Sequence, residues 1–380
     1  MKRLCIYVTY NKNNQIKEYI GYIIKAIRQC DMDICFVCNY FECVSGLEYI
    51  QPYVNWIYYR ANTGYDSGAY KDALCDFIGW DKVYEYDELI LTNDSYLGPF
   101  FPVEDYFRQM NSAECDFWGM TGQAAGEFTN PVYQFEAHVH SYFFVFRKTV
   151  LHSEAFRDFW NQFEYPASFR QAIINFEIQI NVYLRKCGFK ASSLIDLWHI
   201  ELERNVNPFL QHPYELIAEH RFPILKKKSL LIRNPGFSSA LRAVQYLKEK
   251  ELYPAELIEE IIENQFYIPE FGEQECNSLE NFYHQHSKIY IYGDGVCGRN
   301  LAVYFEYKGW RFEHFLVTNT EEADSDVMTI EQVDIGPTVG IIISVINPTV
   351  AEEMASNIGE RCCKGQLFFI SECRSIQLPI

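Results

Sequence analysis

The chain has 380 residues, enough for two or three domains, and is 48% hydrophobic and 17% aromatic, which allows large cores. Its formal net charge of −18 excludes a general nucleic-acid coat, because phosphate binding needs Lys and Arg in excess. The 13 cysteines are scattered and suggest neither a zinc ribbon nor a redox motif. No apolar run reaches the about 18 residues that span a bilayer.

The pattern opens as strand, turn, helix, strand. Met1-Lys2-Arg3 leads straight into an apolar strand, Leu4 to Val8, rather than into the core of a signal peptide, so a cytoplasmic chain is expected. Thr9 to Lys12 is the turn. Ile16, Ile20, Ile23, Ile24 and Ile27 recur at helical spacing, and Ile34 to Cys38 is the second strand. Val54 to Tyr59 predicts a third strand, Gly68 to Ile78 a helix, and Leu89 to Leu91 a fourth strand that ends abruptly in Thr92-Asn93-Asp94-Ser95. Asp116 to Met120 and Ser141 to Phe146 read as further strands. Val150 to Phe163 and Phe169 to Cys187 read as helices, the second stopped by Gly188. Strands alternating with helices argue for an α/β protein with a mainly parallel sheet.

From about 205 to 282 the pattern is helical and less regular, with a Glu-rich, solvated helix expected over Glu249 to Asn264. A second α/β unit begins at Lys288. Ile289 to Tyr292 is a strand, Gly293-Asp294-Gly295-Val296-Cys297-Gly298 opens a helix to Tyr307, and Phe312 to Val317 and Val339 to Val345 are strands before a helix at Thr349 to Ile358. A GxGxxG between strand and helix is the context of a dinucleotide fingerprint. The acid expected about 20 residues on is absent, since the next strand ends Val317-Thr318-Asn319. No NAD is therefore expected, and an NAD(P)-dependent oxidoreductase or epimerase centred on this unit is the competing function.

Three clusters carry chemistry. In an α/β sheet, ligands bind beyond the carboxyl ends of the strands, and Asp94 is a carboxylate at such an end. It would hold a divalent cation and through it a diphosphate, although the same Asp in a turn before Gly98-Pro99 needs no ligand. Asn62 and Asp66 flank Gly64 and Gly68, which allow close backbone approach, and Arg60 suits phosphate; Asp66 or Ser67 would otherwise cap the helix that follows. His138 and His140 share one strand face beside Ser141 and suit hydrogen bonds to sugar or phosphate. His199, His212 and His220 are each a weaker candidate for a metal or diphosphate contact. Lys226-Lys227-Lys228 is the one basic run, a solvated turn or a membrane-surface contact.

Taken in order, these segments resemble the inverting GT-A glycosyltransferases. Val8-Thr9-Tyr10-Asn11 is similar to the first strand and turn that hold the nucleotide. Asn62-x-Gly64-Tyr65-Asp66 is similar to the base and diphosphate segment, and Asn93-Asp94, with Ser95, to the metal-binding DxD. Phe176-Glu177-Ile178-Gln179-Ile180 is similar to the family's acidic helix. Thr92 stands where the first DxD acid would be, and Ile178 where a second acid often follows. Within that superfamily RANTGYDSGAYK, LTNDSYLGPF, CDFWGMT, HVHSYFFVFRKTVL and FPILKKKSL resemble the rhamnan synthesis protein F family over about residues 1–230.

The resemblance implies a GT-A-type mixed, mainly parallel sheet flanked by helices over 1–230, a helical connector over 231–286 and a Rossmann-like accessory domain over 287–380. It implies Glu177 as general base, Asp94 at a Mg²⁺ or Mn²⁺ ion, and Tyr10, Arg60, Asn62, Gly64, Asp66, Asn93, Ser95, His138, His140 and Ser141 around a nucleotide-sugar. The donor would be dTDP-L-rhamnose and the acceptor a glycan or lipid-linked glycan for the cell surface, reached in the cytoplasm or at the inner membrane face. A non-catalytic nucleotide-sugar binding protein is the third reading.

Overall fold

A computed structural model describes residues 1–43, 45–129, 132–195, 197, 207–268, 278–319 and 326–373. The chain forms two compact units, Met1–Val206 with His220–Ile224, and Asn207–Glu219 with Leu225–Ile380.

The first unit is built on an eight-stranded sheet. Apolar Leu4, Ile6 and Val8 alternate along β1 (Arg3–Thr9), which is buried and pairs in parallel with β2 (Met32–Cys38) and β4 (Glu88–Asn93); β2 pairs in parallel with β3 (Trp56–Tyr59). β4 then pairs with an antiparallel strand, β7 (Phe143–Arg147), which pairs with β5 (Phe117–Gln123); the short β6 (His138–Val139) lies antiparallel on β5, and β8 (Ala191–Ile195) pairs in parallel with its other side. The order is β8-β5-β7-β4-β1-β2-β3. The sheet is thus mixed and mainly parallel, as expected, and it is flanked by helices α1 (Glu18–Gln29), α2 (Tyr65–Asp72), α3 (Val103–Asn111), α4 (Glu154–Gln162) and α5 (Phe169–Ala172, continuing through Ile173–Ile178 to Gln179–Lys186).

Two details depart from the sequence pattern, and a third bears on its cysteines. The expected helix at 150–163 is broken, because Ser153 accepts from Phe156 N–H and starts α4 afresh. Both α2 and α5 widen into π-helical turns, at Ala73–Phe77 and Ile173–Ile178, and the second carries Glu177. Cys35 and Cys38 have CxxC spacing but are buried within β2 as free thiols, and strand alternation puts residues three apart on opposite faces.

In the second unit the expected helix over Glu249 to Asn264 is corrected. Pro254 cannot continue a helix, so α6 (Phe237–Glu249) ends and α7 (Ala255–Asn264) begins, and α7 is only partly solvated, since Leu257, Ile258 and Ile262 are buried. α8 (Leu279–Gln285) leads into β9 (Lys288–Tyr292), α9 (Val296–Lys308), β10 (Phe315–Val317), β11 (Val327–Thr329), β12 (Val339–Ile343), α10 (Pro348–Ile358) and β13 (Leu367–Phe369). The five strands are all parallel in the order β11-β10-β9-β12-β13, a doubly wound, Rossmann-like arrangement. β11 and β13 have only three residues each, too short to be read from alternation.

Candidate active site

In the first sheet the strand order reverses between β1 and β4, which creates a crevice beyond their carboxyl ends. Asp94 stands there. Its N–H donates to Val8 C=O at 3.2 Å, and Thr9 Oγ1 donates to its Oδ2 at 2.9 Å. Asn93 turns the other way: its Nδ2 donates to Asp66 Oδ2 at 2.8 Å, while its Oδ1 accepts from Ser95 N (3.1 Å) and Ser95 Oγ (2.6 Å). The structure therefore brings Asp66, Asn93, Asp94 and Ser95 together from two distant segments. Thr92 is buried, donates to Tyr142 C=O at 2.8 Å and shares a 2.7 Å hydrogen bond with Tyr96 OH, so an acid at that position would point into the protein.

Among the described residues no group of three or more His, Cys, Asp or Glu side chains is arranged to hold a metal. Magnesium, however, is commonly held by one or two carboxylates together with substrate phosphates. Asp94, with Asp66 joined to its neighbour, fits that donor set.

The Arg60 loop is organised from within. Arg60 is 6% exposed. Its Nε donates to Asp72 Oδ2 at 2.6 Å, Nη1 to Asn39 Oδ1 at 2.6 Å and Nη2 to Thr63 C=O at 2.7 Å. Its guanidinium shapes the loop that presents Asp66. Gly64 has φ +73°, and a β-carbon there would sit 2.9 Å from Tyr165 Cβ. Asp66 is not the cap of α2, which starts without any side-chain cap. Asn62 is exposed, and Tyr10, 41% exposed, follows β1.

The second cluster lies along the same carboxyl edge, where β6 and the start of β7 meet α5. Ser141 donates its N–H at 2.7 Å and its Oγ–H at 2.6 Å to Glu177 Oε2. His138 Nε2 is 3.7 Å from Glu177 Oε1, and its Nδ1 faces Glu136 C=O at 2.9 Å. His140 Nδ1 shares a 2.9 Å bond with Thr121 Oγ1, which also bonds Tyr142 OH at 2.7 Å. Burial alone would raise the Glu177 carboxyl; the electrostatic pull of His138 and His140 beside it and the Ser141 hydrogen bond outweigh it and hold the group at about 2. Glu177 is thus an ionised, pinned carboxylate, with 16% of its side chain exposed.

Asn181 was not among the sequence candidates. It is fully buried one turn after Glu177, where its Oδ1 accepts from Val139 N–H (2.9 Å) and its Nδ2 donates to Val139 C=O (3.0 Å) and Glu177 C=O (2.7 Å). The available signal was a polar residue at i+4 on the face of α5 that carries Glu177.

The remaining candidates fall elsewhere. His220 lines a separate cavity of about 360 Å³ with Phe101, Gln109, Ile195 and Arg221. His212 belongs to the second unit, and His199 lies outside the described residues. Lys226 is buried and only Lys228 of the three basic residues is exposed, so the run is not a continuous basic surface. No helix among the described residues is long and apolar enough to cross a membrane.

In the second unit a β-carbon on Gly298 would sit 2.0 Å from Gly293 C=O, so α9 packs on the loop only with glycine there. Ser344 Oγ donates to Tyr292 C=O (2.9 Å) and Gly293 C=O (2.8 Å), tying β12 to β9. After β10, Thr318 shares a hydrogen bond with Tyr292 OH at 2.7 Å, and neither it nor Asn319 offers a carboxylate.

A mixed, mainly parallel α/β sheet with Asp94 at its switch point and a part-buried Glu–Ser–His cluster on the same edge defines an α/β protein of the doubly wound kind. The family model for rhamnan synthesis protein F matches residues 34–291, and the chain belongs to that family. It is 26% identical over 170 residues, 43% of this chain, to the uncharacterized protein y4gN of Sinorhizobium fredii (strain NBRC 101917 / NGR234), and it spans 42% of that relative's length. Among solved structures it is similar to core-mannan synthase A (CmsA/Ktr4) of Aspergillus fumigatus in its Mn/GDP form, at 10% identity and a TM-score of 0.28, over 48% of this chain and 69% of that one.

Proposed function

We propose that this protein is an inverting glycosyltransferase that moves L-rhamnose from dTDP-L-rhamnose onto a cell-surface polysaccharide precursor. Membership of a family described by rhamnan synthesis supports the substrate class. The observation that carries the reading is Asp94 at the β1/β4 switch point, hydrogen-bonded by Thr9, with Asp66 tied to its neighbour Asn93.

In the reaction the acceptor hydroxyl oxygen attacks the anomeric carbon, the bond from that carbon to the diphosphate breaks, and dTDP leaves with the electron pair. The hydroxyl proton passes to Glu177. A carboxylate held at about 2 stays ionised throughout the neutral range. It accepts the proton late, once bond formation has made the hydroxyl acidic. Ser141 and His138 hold the base in place, and Arg60 holds the loop that presents Asp66. Tyr10, Asn62, Gly64, Asn93 and Ser95 line the donor side, and His140 acts electrostatically on Glu177. Asp94, with Asp66, would hold a Mg²⁺ or Mn²⁺ ion, which when bound neutralises charge on the leaving diphosphate.

Within this reading residues 1–230 form the transfer domain, 231–286 a connector and 287–380 an accessory domain. The acceptor is a glycan or lipid-linked glycan met on the cytoplasmic side, at the membrane surface where it is lipid-linked. The test is turnover of dTDP-L-rhamnose by the Asp94→Ala protein. Loss of at least about 10²-fold in kcat/KM with an unchanged melting temperature is expected; wild-type turnover would remove Asp94 from the site.

A further inference from the structure

Tyr65 has φ +57° and directly follows Gly64 at +73°. Left-handed backbone is an outlier for a bulky aromatic residue, and such strain persists only where surrounding structure over-determines it. Here each successive carbonyl is taken by a side chain: Thr63 C=O by Arg60 Nη2 (2.7 Å), Gly64 C=O by Ser67 Oγ (2.8 Å) and Tyr65 C=O by Asn39 Nδ2 (3.3 Å).

Core packing does not account for this. Tyr65 is half-buried and lies outside the hydrophobic core of the unit. Its ring meets Phe169 edge-on at 6.3 Å, and Phe169 is itself 40% exposed; Tyr165, 44% exposed, covers Gly64. The next residue is Asp66, bonded to Asn93 beside Asp94. The part-exposed aromatic pair of Tyr65 and Phe169 is therefore carried by the residue that directly precedes Asp66.

We propose that Tyr65, backed by Phe169, is a ligand-contact residue that packs on the C–H face of a sugar ring whose polar end is held at Asp66 and Asp94. Aromatic walls with a few convergent polar groups are the usual make-up of small-ligand sites. This rests on the reading of the crevice as a nucleotide-sugar site. The ring packed on Tyr65 is either the donor's own sugar or the terminal sugar of the acceptor.

The test compares Tyr65→Asn, which tolerates left-handed backbone, with Tyr65→Phe, which keeps the ring. Melting temperature, calorimetric affinity for dTDP-L-rhamnose and for dTDP, and KM for a rhamnose-terminated oligosaccharide are measured. Tyr65→Asn should melt no lower than wild type. If the ring holds the donor sugar, this variant binds dTDP-L-rhamnose about tenfold more weakly with dTDP affinity within about twofold. If it holds the acceptor, the oligosaccharide KM rises by about the same factor instead. Tyr65→Phe should match wild type in each. A Tyr65→Asn protein that melts clearly lower, or one with all three ligand constants unchanged, overturns the proposal. Asp94→Ala losing transfer while Tyr65→Asn behaves as wild type sinks this inference alone; wild-type transfer by Asp94→Ala sinks the underlying reading with it.

Discussion

Ser141 gives both its backbone N–H and its hydroxyl to a single oxygen, Oε2 of Glu177, at 2.7 and 2.6 Å. Charge-assisted bonds of this length are the strong ones. They join the β6–β7 turn to the π-helical turn of α5, so the carboxylate and the segment that faces it are positioned as one piece.

Ser141→Ala removes one of the two bonds and keeps the other. The Glu177 carboxyl should then rise from about 2 toward its ordinary 4.5. The acid limb of kcat/KM, flat down to mild acid in wild type, should move upward in the variant. A pH–rate profile between about 3 and 6 reads this directly; superimposable profiles would show that the hydroxyl does not tune the base.

Glu177→Gln keeps size and removes the base. Turnover should fall by roughly 10²–10⁴-fold with donor affinity nearly unchanged. Wild-type kinetics would place the base elsewhere, with Glu136 the next carboxylate. The same variant tests linkage. A carboxyl depressed to about 2 contributes stability that is fully present above its unfolded value near 4.5 and is lost as pH falls toward 2. At neutral pH that contribution is on the order of 3 kcal/mol at most. Denaturant unfolding at neutral pH and near pH 3 should show a steeper loss for wild type than for Glu177→Gln.

Asn181→Ala leaves the Val139 N–H and C=O, both buried, without their partner. It should cost about 1–3 kcal/mol in urea unfolding and lower kcat more than it raises donor KM, because the His138–Ser141 segment loses one of its two anchors to α5. Asn181→Gln at wild-type turnover would show that the register held by these bonds is not needed.

NAD(H) titrated calorimetrically into the full chain should give no binding heat. The fingerprint glycines are present, but β10 ends in Thr318 and Asn319 where a ribose-binding acid belongs. Micromolar affinity would promote the oxidoreductase reading.

The periodicity of β1, β2 and β4 was legible because a buried strand is written locally, as consecutive apolar residues closed by polar ones. The same local writing put Asp94 just past a strand end, and hence at the carboxyl edge of a parallel sheet. The GxGxxG turn of the second unit was equally plain, and two of its three glycines are demanded by the backbone, Gly293 by its φ of +105° and Gly298 by its approach to Gly293 C=O. The partners of the candidate residues were not legible. Ser141 and Glu177 are 36 positions apart, Arg60 divides its donors among Asn39, Thr63 and Asp72, and Asn93 reaches back to Asp66. Each of these bonds depends on strand register and on π-turns that shift the phase of a helix, and no short window of residues contains either. Sequence alone thus determined the α/β class, the family and the strand-end carboxylate. Tertiary structure decided which polar groups face one another, because hydrogen bonds need atoms within about 3 Å, and only the closed sheet brings them that near.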